Sequence, residues 1–275
     1  MGDPTDPLRA ITIGAGSPAL ASQRAASTVV FDPAGFRLSA PPGSNPDRLS
    51  AAFRAAAAPV SPEATMAAAQ QAIPATLDAV AALAPALQAA TAADPSGTTT
   101  PTTTPPTSTR AKGGNGGAKP LTDLLDVAAR VIDLQLGTQV IVVTASGYDT
   151  HANQAQMHPV LLADLASGLD GFLGQVEAQG HGDQVALITT SEFGRRAAEN
   201  GSGTDHGQAS VQFVAGGPVA SAQIVGQAQL DKLDQGDLPI VIDTRSVYAA
   251  ALDWLGGPTD EILGAAYDRY GLLRR

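Results

Sequence analysis

Three short clusters in this chain join carboxylates and imidazoles at spacings that suit a bound cation: Asp149 with His151, Glu192 after Thr189-Thr190-Ser191, and the pair Asp205-His206. In an extended segment, residues i and i+2 face the same way, so Asp149 and His151 are able to reach one ion. Oxygen and imidazole donors together suit Zn, Mn, Fe or Ca rather than a thiolate-bound metal. His158 follows in the same stretch. It either adds a ligand or only marks the start of a helix.

Each cluster also has an ordinary explanation. Asp149 alone is a turn-capping carboxylate beside a surface histidine. Glu192 is costly to bury unless it is paired, protonated or bound to a cation, and Arg195 and Arg196 lie close enough in sequence to pair with it. The functional alternative puts Glu192 on a metal and an arginine, Arg195, on an anionic substrate through its forked donors. Asp205-His206 is bracketed by Gly203 and Gly207. Those glycines permit tight turns and close backbone approach, so the pair reads as ligands or as an acid–base couple. The clusters gain weight from their shared position, each beside an apolar run.

Those runs are the positioning elements. Val140–Thr144 and Val185–Thr190 are rich in β-branched residues and bounded by turn signals, which predicts buried strands. An amphipathic stretch from Pro159 to Gln179 lies between them, closed by Gly180. Strand, long helix, strand predicts a right-handed parallel βαβ unit. In such sheets ligands sit beyond the carboxyl ends of the strands. Val211–Val214 predicts a third strand. Leu121–Leu136 carries apolar residues at the spacing of one helix face, with Gly137 beyond it. Upstream, Leu8–Ile13, Thr28–Phe31 and Phe36–Leu38 read as short strands. Residues 46–90 are helical in composition, with bends expected at Pro74 and Pro85. Downstream, Thr244–Leu255 reads as a helix capped by Asp243, with Arg245 paired to that carboxylate, and Tyr267–Leu273 as surface coil.

Residues 91–120 are dominated by Thr, Pro and Gly and hold nothing apolar to anchor them. Such a segment does not offset its ordering entropy, so it is expected as a mobile insertion in one domain spanning 1–275. The formal charge of −10 and the 4% aromatic content speak against a nucleic-acid partner, which needs a basic, stacking footprint. With no cysteine, neither a disulfide nor a thiolate site enters. No run reaches the ~18 apolar residues of a membrane span, and no signal peptide is visible.

The motifs GYDTHANQ, SEFGRR, ENGSGTDHG and DTRSVYAAALDWLG, in this order, resemble the carboxyl-terminal part of the bacterial family called domain of unknown function 1501. That family is placed among alkaline-phosphatase and sulfatase-like metalloenzymes. The resemblance implies an α/β fold with a mostly parallel sheet, helices on both faces and a site at the strand ends. It implies a divalent metal ion held among Asp149, His151, Glu192, Asp205 and His206, and a small anionic ester of phosphate or sulfate as substrate. It also implies export to the cell envelope. Family members are usually longer at the amino end, where a twin-arginine signal, a Gly-rich Asp segment and a Ser-His-Phe element lie. Those elements are absent here, so the expectation is a chain lacking the first part of the fold. The alternative is a non-catalytic binding or scaffold protein that keeps a structural ion. Ala220-Ser221-Ala222-Gln223 also stands where the family tends to carry Lys-Gly-Gly.

Overall fold

The computed structural model describes residues 3, 5–17, 20, 25–58, 60–92 and 119–274. The chain divides into two compact units, Pro4–Ala145 and Ser146–Arg275 with Met1–Asp3. It is a mixed α/β protein whose parallel sheet has three strands.

That sheet belongs to the first unit. β1 (Ala10–Ile13) lies between β2 (Thr28–Val30) and β3 (Val140–Val143), parallel to both. Ile11 pairs with Thr28 on one side and with Ile141 on the other. Apart from Ala10, all three strands are built from β-branched residues, which favour the pleated backbone. Three helices follow β2: α1 (Pro46–Ala57), α2 (Ala64–Ala92) and α3 (Leu121–Asp133). α1 starts at Asn45, whose side chain accepts from the amides of Asp47 and Arg48, with Pro46 in the first turn. α2 runs unbroken through Pro74 and Pro85, where the sequence predicts bends. α3 turns Leu124, Leu125, Val127, Ala128 and Val131 inward and packs on β1 and β3, with α2 against it. Ile11, Ile13, Val30 and Leu83 are fully buried, each worth roughly 1.5–3 kcal/mol of transfer free energy. Phe36–Leu38 forms no strand. Of the low-complexity insertion, residues 93–118 lie outside the described residues.

The second unit contains α4 (Gln154–Ala178), β4 (Leu187–Ile188), β5 (Gly194–Glu199), β6 (Thr204–Gly207), β7 (Val214–Ala215), α5 (Thr244–Trp254) and α6 (Thr259–Leu263). α4 begins five residues before the expected Pro159, after Asn153 in the left-handed region at φ 52°. The amide of Gln154 donates to Ser202 O at 3.0 Å, so the first turn of α4 is tied to the loop before β6. Phe172 and Val176 anchor the buried side of α4. Gly180, at φ 80°, ends it where the sequence places the stop.

The expected parallel βαβ unit does not form. β4 pairs with β7 antiparallel, Leu187 opposite Ala215, while β3 pairs with β1. The reason lies in the SEFGRRAAENGSGTDHG segment, for which the sequence reading names no strand. It folds as an antiparallel hairpin, β5 against β6, with Arg195 opposite His206. Asn200 closes the turn, its amide donating to Gly203 O at 2.9 Å. A hairpin brings the chain back over a short distance, so Phe213 and Val214 return beside Thr189 and Ile188. Closing that short loop costs less chain entropy than a long crossover.

α5 has Asp243 at its N-cap, accepting from the amide of Arg245 at 2.9 Å, and the Arg245 guanidinium folds back onto the same carboxylate. The tail expected as surface coil is partly tied down. Val219 bridges to Leu273, Ala220 donates to Leu272 O, and Arg269 pairs with Asp253 and Asp260.

Candidate metal centre

Two segments of the second unit carry the site. One is the stretch Tyr148–His151 before α4; the other is β6. Adjacent strand positions point to opposite sides, yet Asp205 and His206 both reach His151, one through a carboxylate oxygen on Nδ1 and the other through its ring. His206 reaches Asp149, with Nε2 2.8 Å from Oδ1. His151 reaches the same atom, with Nε2 3.0 Å from Oδ1. The three ligand atoms of Asp149, His151 and His206 lie within 4.8 Å of one another.

Asp205 stands behind this trio. Its Oδ1 lies 3.3 Å from Nδ1 of His151 and accepts from Asn200 Nδ2 at 3.0 Å. A carboxylate on Nδ1 fixes the ring's orientation and leaves Nε2 turned toward Asp149. Phe193 stacks on His206, with ring centroids 3.8 Å apart and planes within 7°. The His151 ring lies 4.8 Å from that of His206 between centroids, tilted by 31°. Both imidazoles are thereby held in place while their side chains remain about half exposed, at 44% and 46%. A small ion or molecule has access.

The charges are mutually supportive. Hydrogen bonding from His206 holds the Asp149 carboxyl below the usual carboxylate range, and the nearby His151 and Arg195 act in the same direction. Hydrogen bonding from Asn200, then from His151, does the same for Asp205. Burial, and then the charge of Asp164, pushes the Tyr148 phenol up.

The donor atoms of Asp149, His151 and His206 are of types that hold divalent cations. Two imidazole nitrogens and one carboxylate oxygen are the donor set of many catalytic zinc and iron sites. Ligand atoms around a tetrahedral ion with bonds of ~2.0–2.1 Å stand about 3.3 Å apart. The two distances to Asp149, 2.8 and 3.0 Å, are shorter by a few tenths of an ångström, while the trio as a whole spreads over as much as 4.8 Å. Holding one ion requires the half-exposed imidazoles to move away from Asp149 and toward one another.

A family model, described as "Protein of unknown function (DUF1501)", matches residues 46–265, most of the chain and every residue of this cluster. The chain belongs to the DUF1501 family. No curated protein and no solved structure matches it.

Within this DUF1501 chain the residues singled out by sequence fall into three groups. Asp149, His151 and His206 converge. Asp205 joins them through His151 Nδ1 rather than through a shared ion position. Glu192 lies outside the cluster and is exposed. The two arginines beside it are engaged elsewhere: Arg196 with Asp237 and Gln235 O, Arg195 with the carbonyls of Thr204 and Tyr148. Arg195, expected on a substrate anion, is therefore committed to backbone oxygens, and its side chain is only 17% exposed. His158 sits on α4, its Nδ1 3.3 Å from the hydroxyl of Thr150, a residue only 3% exposed. It is no member of the converging trio. Sequence reasoning did not find Phe193, Thr150 or Asn200. Asn200-Gly201 is a turn signal in its own right, and it marks the hairpin that brings Asp205 and His206 to the site.

Proposed function

We propose that this DUF1501 protein is a metal-dependent hydrolase of phosphate or sulfate esters with an alkaline-phosphatase-like fold, its cation held by Asp149, His151 and His206. One observation carries the reading: Nε2 of His151 and Nε2 of His206 both meet Oδ1 of Asp149, at 3.0 and 2.8 Å. When bound, a divalent ion polarises an ester oxygen and lowers the pKa of water beside it. The chain's own residues do the rest. Asp205 keeps the His151 ring oriented through Nδ1, Phe193 keeps the His206 ring flat against it, and the half-exposed mouth admits a small anionic ester. Zinc, manganese or calcium is the cation class this reading requires, and export to the envelope is part of the same proposal.

A second reading follows from Arg195 and Thr150. Arg195 gives its donors to carbonyls, and Thr150, the hydroxyl between Asp149 and His151, is buried. Neither is poised on an incoming anion. That favours a non-catalytic binding or scaffold protein with a structural ion. The two readings separate in one experiment. Metal-free chain is titrated with Zn, Mn and Ca, then assayed with chromogenic phosphate and sulfate esters, beside Asp149→Ala. Turnover lost in the variant supports the hydrolase. Tight binding without turnover supports the structural ion. Failure to bind any of the three removes both.

A further inference from the structure

We propose that Arg195 is the strut that locks the two ligand-bearing segments together, so that cation affinity depends on a residue that touches no cation. The inference rests on Asp149, His151 and His206 being the cation site.

Arg195 leaves β5 directly opposite His206. Its Nη1 donates to Thr204 O at 2.6 Å, and Thr204 immediately precedes Asp205-His206. Its Nη2 donates to Tyr148 O at 2.7 Å, and Tyr148 immediately precedes Asp149. The same Nη2 lies 3.4 Å from Asp149 Oδ1 and 3.5 Å from Thr150 Oγ1. One planar group thus ties the backbone just upstream of each ligand set. The guanidinium carbon also sits 5.0 Å from the ring centre of Phe193, the residue stacked on His206.

A guanidinium suits this task because its donors diverge at fixed angles in one plane. An ammonium is a single point on a flexible stem and does not hold two carbonyls in that relation. Without the arginine, the carbonyls of Thr204 and Tyr148 lose a charged donor in a partly buried place. The segments are in tight contact by a second criterion. A Cβ built at Gly203 would meet His151 O at 2.5 Å and Thr150 O at 2.7 Å. The hairpin therefore presses on the 150–151 backbone, and Arg195 fastens it there. When a cation takes Asp149 Oδ1, the two carbonyl bonds remain, so the strut serves the filled site as well.

The test uses the full chain with Arg195→Lys and Arg195→Ala. Zinc and manganese affinities are measured by calorimetry, and amide hydrogen exchange is followed over 148–151 and 204–207. The expected result is a cation affinity about 10–100-fold lower in both variants, the range for losing an outer support of a ligand. Exchange in both segments is expected to rise, and added guanidinium ion to recover Arg195→Ala in part, with lysine not substituting. Wild-type affinity in Arg195→Lys overturns the proposal, as does affinity unchanged in both variants with only the KM for an ester raised. If the wild-type chain binds no cation, the site reading fails. Exchange still decides the strut: unchanged protection in both variants removes it, and raised protection loss keeps it.

Discussion

Oδ1 of Asp205 faces Nδ1 of His151 across 3.3 Å, on the side of the ring opposite the 3.0 Å approach of Nε2 to Asp149. The imidazole is therefore gripped between two carboxylates, one aligned to share a cation with it and one aligned to orient it. Removing Asp205 leaves every ligand atom of the trio present and loosens only the ring. Asp205→Asn is expected to lower zinc or manganese affinity about 10–100-fold, whereas Asp149→Ala abolishes binding. Calorimetric titration of metal-free protein measures both.

Cation binding is expected to weaken as pH falls and to release protons. Asp149 and Asp205 are held below the ordinary carboxylate range, chiefly by His206 and Asn200 respectively, so both stay charged through mildly acidic conditions. An imidazole nitrogen binds a metal only when unprotonated, so protons compete with the cation for these ligands. Titrations in buffers of different ionisation enthalpy count the protons released. A pH-independent affinity between neutral and mildly acidic conditions contradicts this account.

Gly203 allows the close approach of the two segments. Its missing Cβ would stand 2.5 Å from His151 O, too near for any side chain without backbone movement. Gly203→Ala is expected to cost about 1–3 kcal/mol of stability through overpacking and to weaken cation binding with it. Gly207→Ala, whose Cβ would meet the Arg195 backbone at 2.7 Å, is expected to act on the hairpin pairing itself. Chemical denaturation read beside metal affinity distinguishes the two.

Asp243 caps α5 and pairs with Arg245, and the Arg245 hydrogen bonds push its carboxyl down to about 2. An unfolded chain holds an Asp near ~3.9. Where the unfolded state binds more protons, stability rises with pH. The cap's contribution is thus fully present above the unfolded value and fades as pH drops through the folded one. Asp243→Asn is expected to lower Tm slightly at neutral pH and to converge with wild type near pH 2. Salt is expected to shrink the difference, because the pair is exposed.

How much of this was legible in the chain follows from the range of each interaction. The pairing of Asp149 with His151 was readable from their spacing, although the extended segment behind that reading is absent: Thr150 N donates to Tyr148 O at 2.9 Å, so a tight turn at Asp149 brings the two together. The α5 cap and its arginine were readable too, since Asp243 and Arg245 are local partners. The hairpin was not: GRRAAE lacks the apolar alternation that marks a strand, so its pairing with TDHG depends on a turn and on the backbone. Missing that hairpin also reversed the expected sense of β4, which takes its returning neighbour β7 as partner. The carbonyl partners of Arg195 were not legible for a related reason. Its bonds to Thr204 O and Tyr148 O join carbonyls that no sequence pattern advertises. Glu192, chosen for its place after an apolar run, stays outside the cluster.

The most direct test is nuclear magnetic resonance of the imidazole nitrogens in metal-free protein during titration with zinc. Binding is expected to saturate at about one equivalent and to shift Nε2 of both His151 and His206, with Nδ1 of His151 still hydrogen-bonded to Asp205 and His158 unchanged. Saturation with neither Nε2 perturbed, or no saturable binding, contradicts the assignment of Asp149, His151 and His206 as one cation site.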